Sequence, residues 1–81
     1  VDYIKIDGSF IRSLLISPDS RVIVRAIADI AKGFGKQTIA EFVDQEALLP
    51  ILKDYGITYG QGYHLGKPTK LTEAFFGISY L

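Results

Sequence analysis

The feature that most limits what this chain can fold into is its alternation of short β-prone runs with longer amphipathic ones. Asp2–Asp7 (DYIKID) puts Tyr3, Lys5 and Asp7 on one face and Ile4 and Ile6 on the other, which is strand periodicity, and Gly8 breaks it. Ser9–Ile16 carries a short apolar pattern. Ser17-Pro18-Asp19 then supplies an N-cap, a proline for the first helical position and an acid for the first turn, so a helix is expected to start there. Within it Ile23, Ile27, Ile30 and Phe34 recur at helical spacing and are expected to pack on a sheet, with Arg21, Arg25, Asp29 and Lys32 on the polar side. Gly33 and Gly35 give the stop signal, and Thr38–Val43 (TIAEFV) reads as a second strand.

Asp44 can cap a second long helix over Gln45–Tyr55, with Leu48, Ile51, Leu52 and Tyr55 on one face and Gly56 ending it. Pro50 would cost an internal hydrogen bond there, so a kink, or a new helix beginning at Pro50, is expected. Ile57–Gly60 reads as a third strand, Gly62–Thr69 as a loop, and Leu71–Gly77 as a final short helix. The order β, α, β, α, β, α implies an α/β fold with parallel strands and right-handed crossovers. A closed eight-stranded β/α barrel takes about 250 residues, so 81 residues amount to the C-terminal third of one; a doubly wound open sheet competes with it. Val1 runs straight into the first strand with no preceding cap, and the composition contains no Met. The expectation is therefore that residues 1–81 are the C-terminal segment of one barrel domain whose N-terminal part lies upstream.

Composition narrows the function. Hydrophobic residues at 48% and charged residues at 22% are ordinary globular usage. Nine basic residues against nine acidic leave no net charge, which argues against nonspecific binding of duplex nucleic acid and requires any phosphate-bearing ligand to meet a local site. The absence of cysteine excludes disulfides and thiolate metal sites and favours the cytoplasm. The apolar stretch Val22–Ala28 is interrupted by Arg25 and falls far short of the roughly 20 residues a membrane span needs.

Each of the three strands ends in a polar residue that its apolar body does not explain: Lys5, Glu41 and Gln61. Tyr3 and Lys5, Ile39 and Glu41, and Ile57, Tyr59 and Gln61 share parity, so the three polar groups can point the same way at the C-terminal ends of the strands. That is where parallel β/α proteins build their sites. A lysine near a strand end is commonly a solvated edge, and Gly60-Gln61-Gly62 could be only a turn. Glu41, between Ala40 and Phe42, needs a cation, a metal or several donors to offset its desolvation; an ion pair with Lys5 would serve structurally. His64, the one histidine, is read as a surface or loop-packing residue and not as a metal ligand.

Three segments carry a resemblance: Asp2–Asp7 (DYIKID), Thr38–Val43 with Asp44 (TIAEFVD), and Tyr59–Tyr63 followed by Lys67-Pro68 (YGQGY…KP). In this order and at these distances the chain resembles the EAL family of cyclic di-GMP phosphodiesterases. The resemblance implies a modified TIM-type barrel that uses Mg²⁺ or Mn²⁺ to hydrolyse cyclic di-GMP to linear pGpG in bacterial second-messenger signalling. Lys5 then matches the lysine beside the metal-bound water and scissile phosphate. Glu41 matches a glutamate of the metal and water cluster, binding metal directly or through water, and assigned either as general base or as an organiser. Gln61 matches the glutamine that orients this network, and Asp7 receives a local structural role.

The resemblance also implies a homodimer of the intact protein and linked sensory or GGDEF domains. The Glu-Ala-Leu segment and the remaining metal ligands would lie upstream, so the isolated segment is expected to be inactive. Phe42 stands where the family's A-E-G-V-E pattern commonly has glycine, and Asp44 stands where it has a second glutamate. Those departures keep two alternatives in view: a catalytically degenerate domain that acts as a cyclic di-GMP receptor or protein-interaction module, and a structural half-domain without a ligand.

Overall fold

The computed structural model describes residues 2–62 and 69–71. Strands β1 (Tyr3–Ile6), β2 (Gln37–Ala40) and β3 (Tyr59–Gly60) pair in parallel, and β4 (Thr69–Lys70) joins β3 antiparallel, giving the order β1-β2-β3-β4. Between β1 and β2 lie α1 (Gly8–Arg12), a 3-10 turn (Ser13–Leu15) and α2 (Pro18–Gly33); between β2 and β3 lies α3 (Leu48–Asp54). The parallel α/β alternation is as the sequence implies, whereas β4 falls at the end of an expected loop. It forms because the far edge of β3 has backbone groups to satisfy: Thr69 and Lys70 pair with it, and Leu71 N–H donates to the Thr58 carbonyl at 3.0 Å. The helix expected over Leu71–Gly77 lies, apart from a buried Leu71, outside the described residues, as does His64.

Asp7 opens α1. Its carboxylate accepts from the Ser9 N–H at 3.2 Å and from the Ser9 hydroxyl, giving the start of this short helix a side-chain partner. The Ser9 hydroxyl chiefly, then the Ser9 N–H, holds the Asp7 carboxyl below the usual aspartate range against a small opposing effect of desolvation. A carboxyl with a lowered folded pKa stabilises the fold above its unfolded value, about 3.9, and this contribution is lost as pH falls through the lower folded value. The Ser9 amide resonance should therefore titrate with a midpoint below about 3.9, and Asp7→Asn should abolish that titration. A midpoint at or above the unfolded value would refute the cap.

In α2 the expected start is present: Ser17 accepts from Ser20 N–H at 3.2 Å and Pro18 occupies the first turn. The packing face is different from the one its large residues suggest. Ser20, Val24, Ala28 and Ala31 are buried, while Ile23, Ile30 and Phe34 are 40%, 57% and 74% exposed. The helix is rotated by roughly one residue because short alanine side chains let its backbone lie close to the sheet, which large isoleucines would hold off. On one flank Lys32 Nζ donates to the Tyr55 carbonyl at 3.0 Å, and the Arg25 guanidinium lies 6.0 Å from the Tyr55 ring. By helical geometry the Ile23–Ile30–Phe34 flank lies on the opposite side, away from α3.

The next helix starts later than its sequence suggests. It begins at Leu48 with Ala47 at its N-cap and no side-chain cap, so Asp44 caps nothing. Pro50 consequently falls in the first turn, where a missing N–H costs no internal bond, and neither a kink nor a new start is needed. Leu48, Leu49 and Leu52 enter the core with Ile51 and Tyr55 half-buried, and Gly56 at φ +78° ends the helix as expected. Ile57, expected to share a face with Tyr59, instead precedes a shortened β3. Its N–H donates to Leu52 O at 3.0 Å and its side chain joins the core with Ile6, Ile11, Leu14 and Leu52.

Candidate active site

Pairing register places the three polar strand-end residues. Lys5 lies beside Ile39, and Ile39 beside Tyr59. The expected strand Thr38–Val43 is shorter at its far end, stopping at Ala40, but the ladder continues: Glu41 N–H donates to Ile6 O at 3.2 Å and Gln61 N–H to Ala40 O at 2.9 Å. Glu41 and Gln61 therefore stand side by side just past β2 and β3, and by alternation Lys5 shares their face one step back on β1. The diagonal from Lys5 to Glu41 spans about 8 Å between α-carbons, within reach of two long side chains. The face is lined further back by Tyr3 and Tyr59, whose rings meet edge to face at 5.8 Å.

Lys5 is exposed, and Glu41 and Gln61 are half-buried. Among the described residues these side chains make no hydrogen bond, and Lys5 and Glu41 form no ion pair; the ion pairs present are Lys36–Asp2 at 2.8 Å and Lys32–Asp29 at 4.0 Å. The structural use of Glu41 as a partner for Lys5 is thus absent, and neither charge is engaged by another described side chain.

Two neighbours fix this edge. Val43 N–H donates to Gln61 O at 2.9 Å, and Gly62 lies so close that a Cβ there would meet the Val43 backbone, with its N at 2.6 Å and its carbonyl carbon at 2.7 Å. Phe42, directly after Glu41, has φ +59°, the one positive φ at a non-glycine position among the described residues. That left-handed conformation costs a side-chain-bearing residue about 1–2 kcal/mol. The backbone turns after Glu41 and the Phe42 ring lies over α1, where a Cβ on Gly8 would collide with Cδ2 at the ring's edge and the Arg12 guanidinium sits 4.7 Å from the ring centroid. An exposed cation–π contact returns about 0.5–1 kcal/mol. Strand parity points Phe42 outward, toward the helices, and its ring does lie on α1; Arg12 as its partner carries no sequence signal, and the visible cue was a phenylalanine at the glycine position of the A-E-G-V-E pattern.

A hard divalent ion takes oxygen ligands, and Glu41 offers an uncommitted carboxylate at the sheet edge. Among the described residues no three His, Asp or Glu side chains gather into a metal site. Glu41 has the chemistry to supply one oxygen ligand and, among the described residues, no companions to complete a set.

A family model described as EAL domain matches residues 1–68. The chain is 41% identical over 71 residues to the cyclic di-GMP phosphodiesterase PdeB of Shewanella oneidensis, covering 88% of this chain and 8% of that protein. It spans about a tenth of the length of the curated relatives it matches. Among solved structures, it superposes on the EAL enzyme Bd1971 bound to cAMP and cyclic di-GMP with a TM-score of 0.78 and 32% identity, over 89% of this chain and 19% of that one. On the FimX EAL domain of Pseudomonas aeruginosa bound to cyclic di-GMP the values are 0.73 and 35%, over 85% and 28%.

Proposed function

The chain belongs to the EAL domain family, and from that membership we infer that it forms the C-terminal part of a metal-dependent phosphodiesterase that hydrolyses cyclic di-GMP to linear pGpG. Its parallel sheet and connecting helices are part of an α/β barrel. The observation that supports the functional reading is the backbone pairing that sets Glu41 and Gln61 side by side past β2 and β3, one step beyond Lys5 on β1, with none of the three bonded to another described side chain.

The reaction adds one water across one phosphodiester: the water oxygen bonds to phosphorus, the P–O3′ bond breaks, and the leaving 3′ oxygen takes a proton. A bound Mg²⁺ or Mn²⁺ would make a nucleophile available near neutral pH by lowering the pKa of its water. The Lys5 ammonium would face the negative charge that develops on the phosphoryl oxygens. Glu41 would hold the attacking water, as its proton acceptor or as the carboxylate that orients it. The Gln61 amide, beside Glu41, would fix the direction of that carboxylate. The remaining ligands come from sequence upstream of this segment. No helix among the described residues is long and apolar enough to cross a membrane. The domain is placed in the cytoplasm because that is where the nucleotide would be met.

Purified full-length protein with Mg²⁺ or Mn²⁺ should convert cyclic di-GMP to pGpG, resolved chromatographically, and EDTA should stop it. Binding without turnover in either metal would reassign the domain to nucleotide reception. Neither binding nor turnover would remove the reading.

A further inference from the structure

We propose that Arg12 and Phe42 form a clamp that positions Glu41. Phe42 is bonded directly to Glu41 and holds a backbone conformation that glycine adopts freely and phenylalanine does not. Its ring is seated on Gly8, at the start of α1, and is covered by Arg12, at the end of the same helix. That helix follows β1 within two residues, so the contact joins the strand end bearing Lys5 to the strand end bearing Glu41. The segment also has one backbone anchor on each side of Phe42, Glu41 N–H to Ile6 O and Val43 N–H to Gln61 O. The clamp supplies by side-chain contact the conformation that a glycine would supply by freedom.

The proposal rests on the phosphodiesterase reading only for what Glu41 does; the clamp itself has a readout independent of activity. In the full-length protein, Arg12→Gln should leave Phe42 without its cover, let the backbone leave the left-handed region and raise amide exchange at Glu41 and Val43 about fivefold. It should lower kcat for cyclic di-GMP by about fivefold at most, with little change in KM. In a Phe42→Gly background the same Arg12 substitution should change neither quantity more than twofold, because glycine needs no clamp. Equal losses from Arg12→Gln in both backgrounds would overturn the proposal and leave Arg12 a general stabiliser. Unchanged exchange at Glu41 and Val43 in Arg12→Gln would overturn it too. If the unmodified protein proves inactive, the exchange measurements still decide the clamp while the reaction assignment fails separately.

Discussion

Full-length protein carrying Glu41→Gln should turn over cyclic di-GMP about 10²–10⁴-fold more slowly than the unmodified protein, the range for removing a positioned proton acceptor or electrostatic group. Glutamine keeps the size and one carbonyl oxygen of the side chain, so local packing is preserved while charge and basicity are lost. Glu41 has no hydrogen bond or ion pair to a described side chain, so the substitution leaves no buried partner stranded and the unfolding midpoint should barely move. Lys5→Ala should produce a loss in the same range, and its exposure makes a stability effect small. Turnover within threefold of the unmodified protein, measured at saturating metal, would remove Glu41 from the reaction.

The second large effect is on stability. Gly62→Ala places a methyl group against the backbone of Val43, whose peptide cannot swing aside as the tip of a long side chain can. Either the segment after β2 or the end of β3 must move, which strains or breaks the bonds from Val43 N–H to Gln61 O and from Gln61 N–H to Ala40 O. Overpacking costs about 1–3 kcal/mol and each ladder bond about 1 kcal/mol, so a loss of about 3 kcal/mol is expected in denaturant unfolding of the full-length protein. Gly33→Ala is the matched control: a Cβ there meets nothing within 4 Å, and it should be neutral or mildly stabilising. Equal stability of the two variants would mean that Gly62 is a turn residue and nothing more.

How far the chain could be read without coordinates varied with the kind of signal. The three parallel strands, the start of α2 and the ends of α2 and α3 were legible because Ser17-Pro18, Gly35 and Gly56 act locally, through capping and backbone freedom, whereas Asp44 pointed to a start for α3 that the chain does not use. The backbone register that sets Glu41 and Gln61 side by side, one step beyond Lys5, was legible too, since it needs only strand ends paired in parallel. The buried face of α2 was not: Ile23, Ile30 and Phe34 have the same period as Val24, Ala28 and Ala31, and size pointed to the wrong stripe because close approach to the sheet favours small residues. A two-residue strand such as β4 has no period to detect. The left-handed backbone at Phe42 is held by contacts with Gly8 and Arg12, more than 25 positions away in the chain, which no local pattern encodes.

The side-by-side order of the strands follows their order along the chain, and this bears on how the sheet assembles. No pairing has to wait for a later segment to pass between strands already joined, and loop-closure cost rises only with the logarithm of the intervening length. Growth can begin at either parallel junction, but both junctions require β2. Its Thr38, Ile39 and Ala40 are all buried, and it is flanked by β1 on one edge and β3 on the other. Held on both edges, β2 should open slowly, and the amide of Ala40 should be among the slowest of this sheet to exchange. The carboxylate of Glu41 thus hangs from the strand that ties the two parallel junctions together.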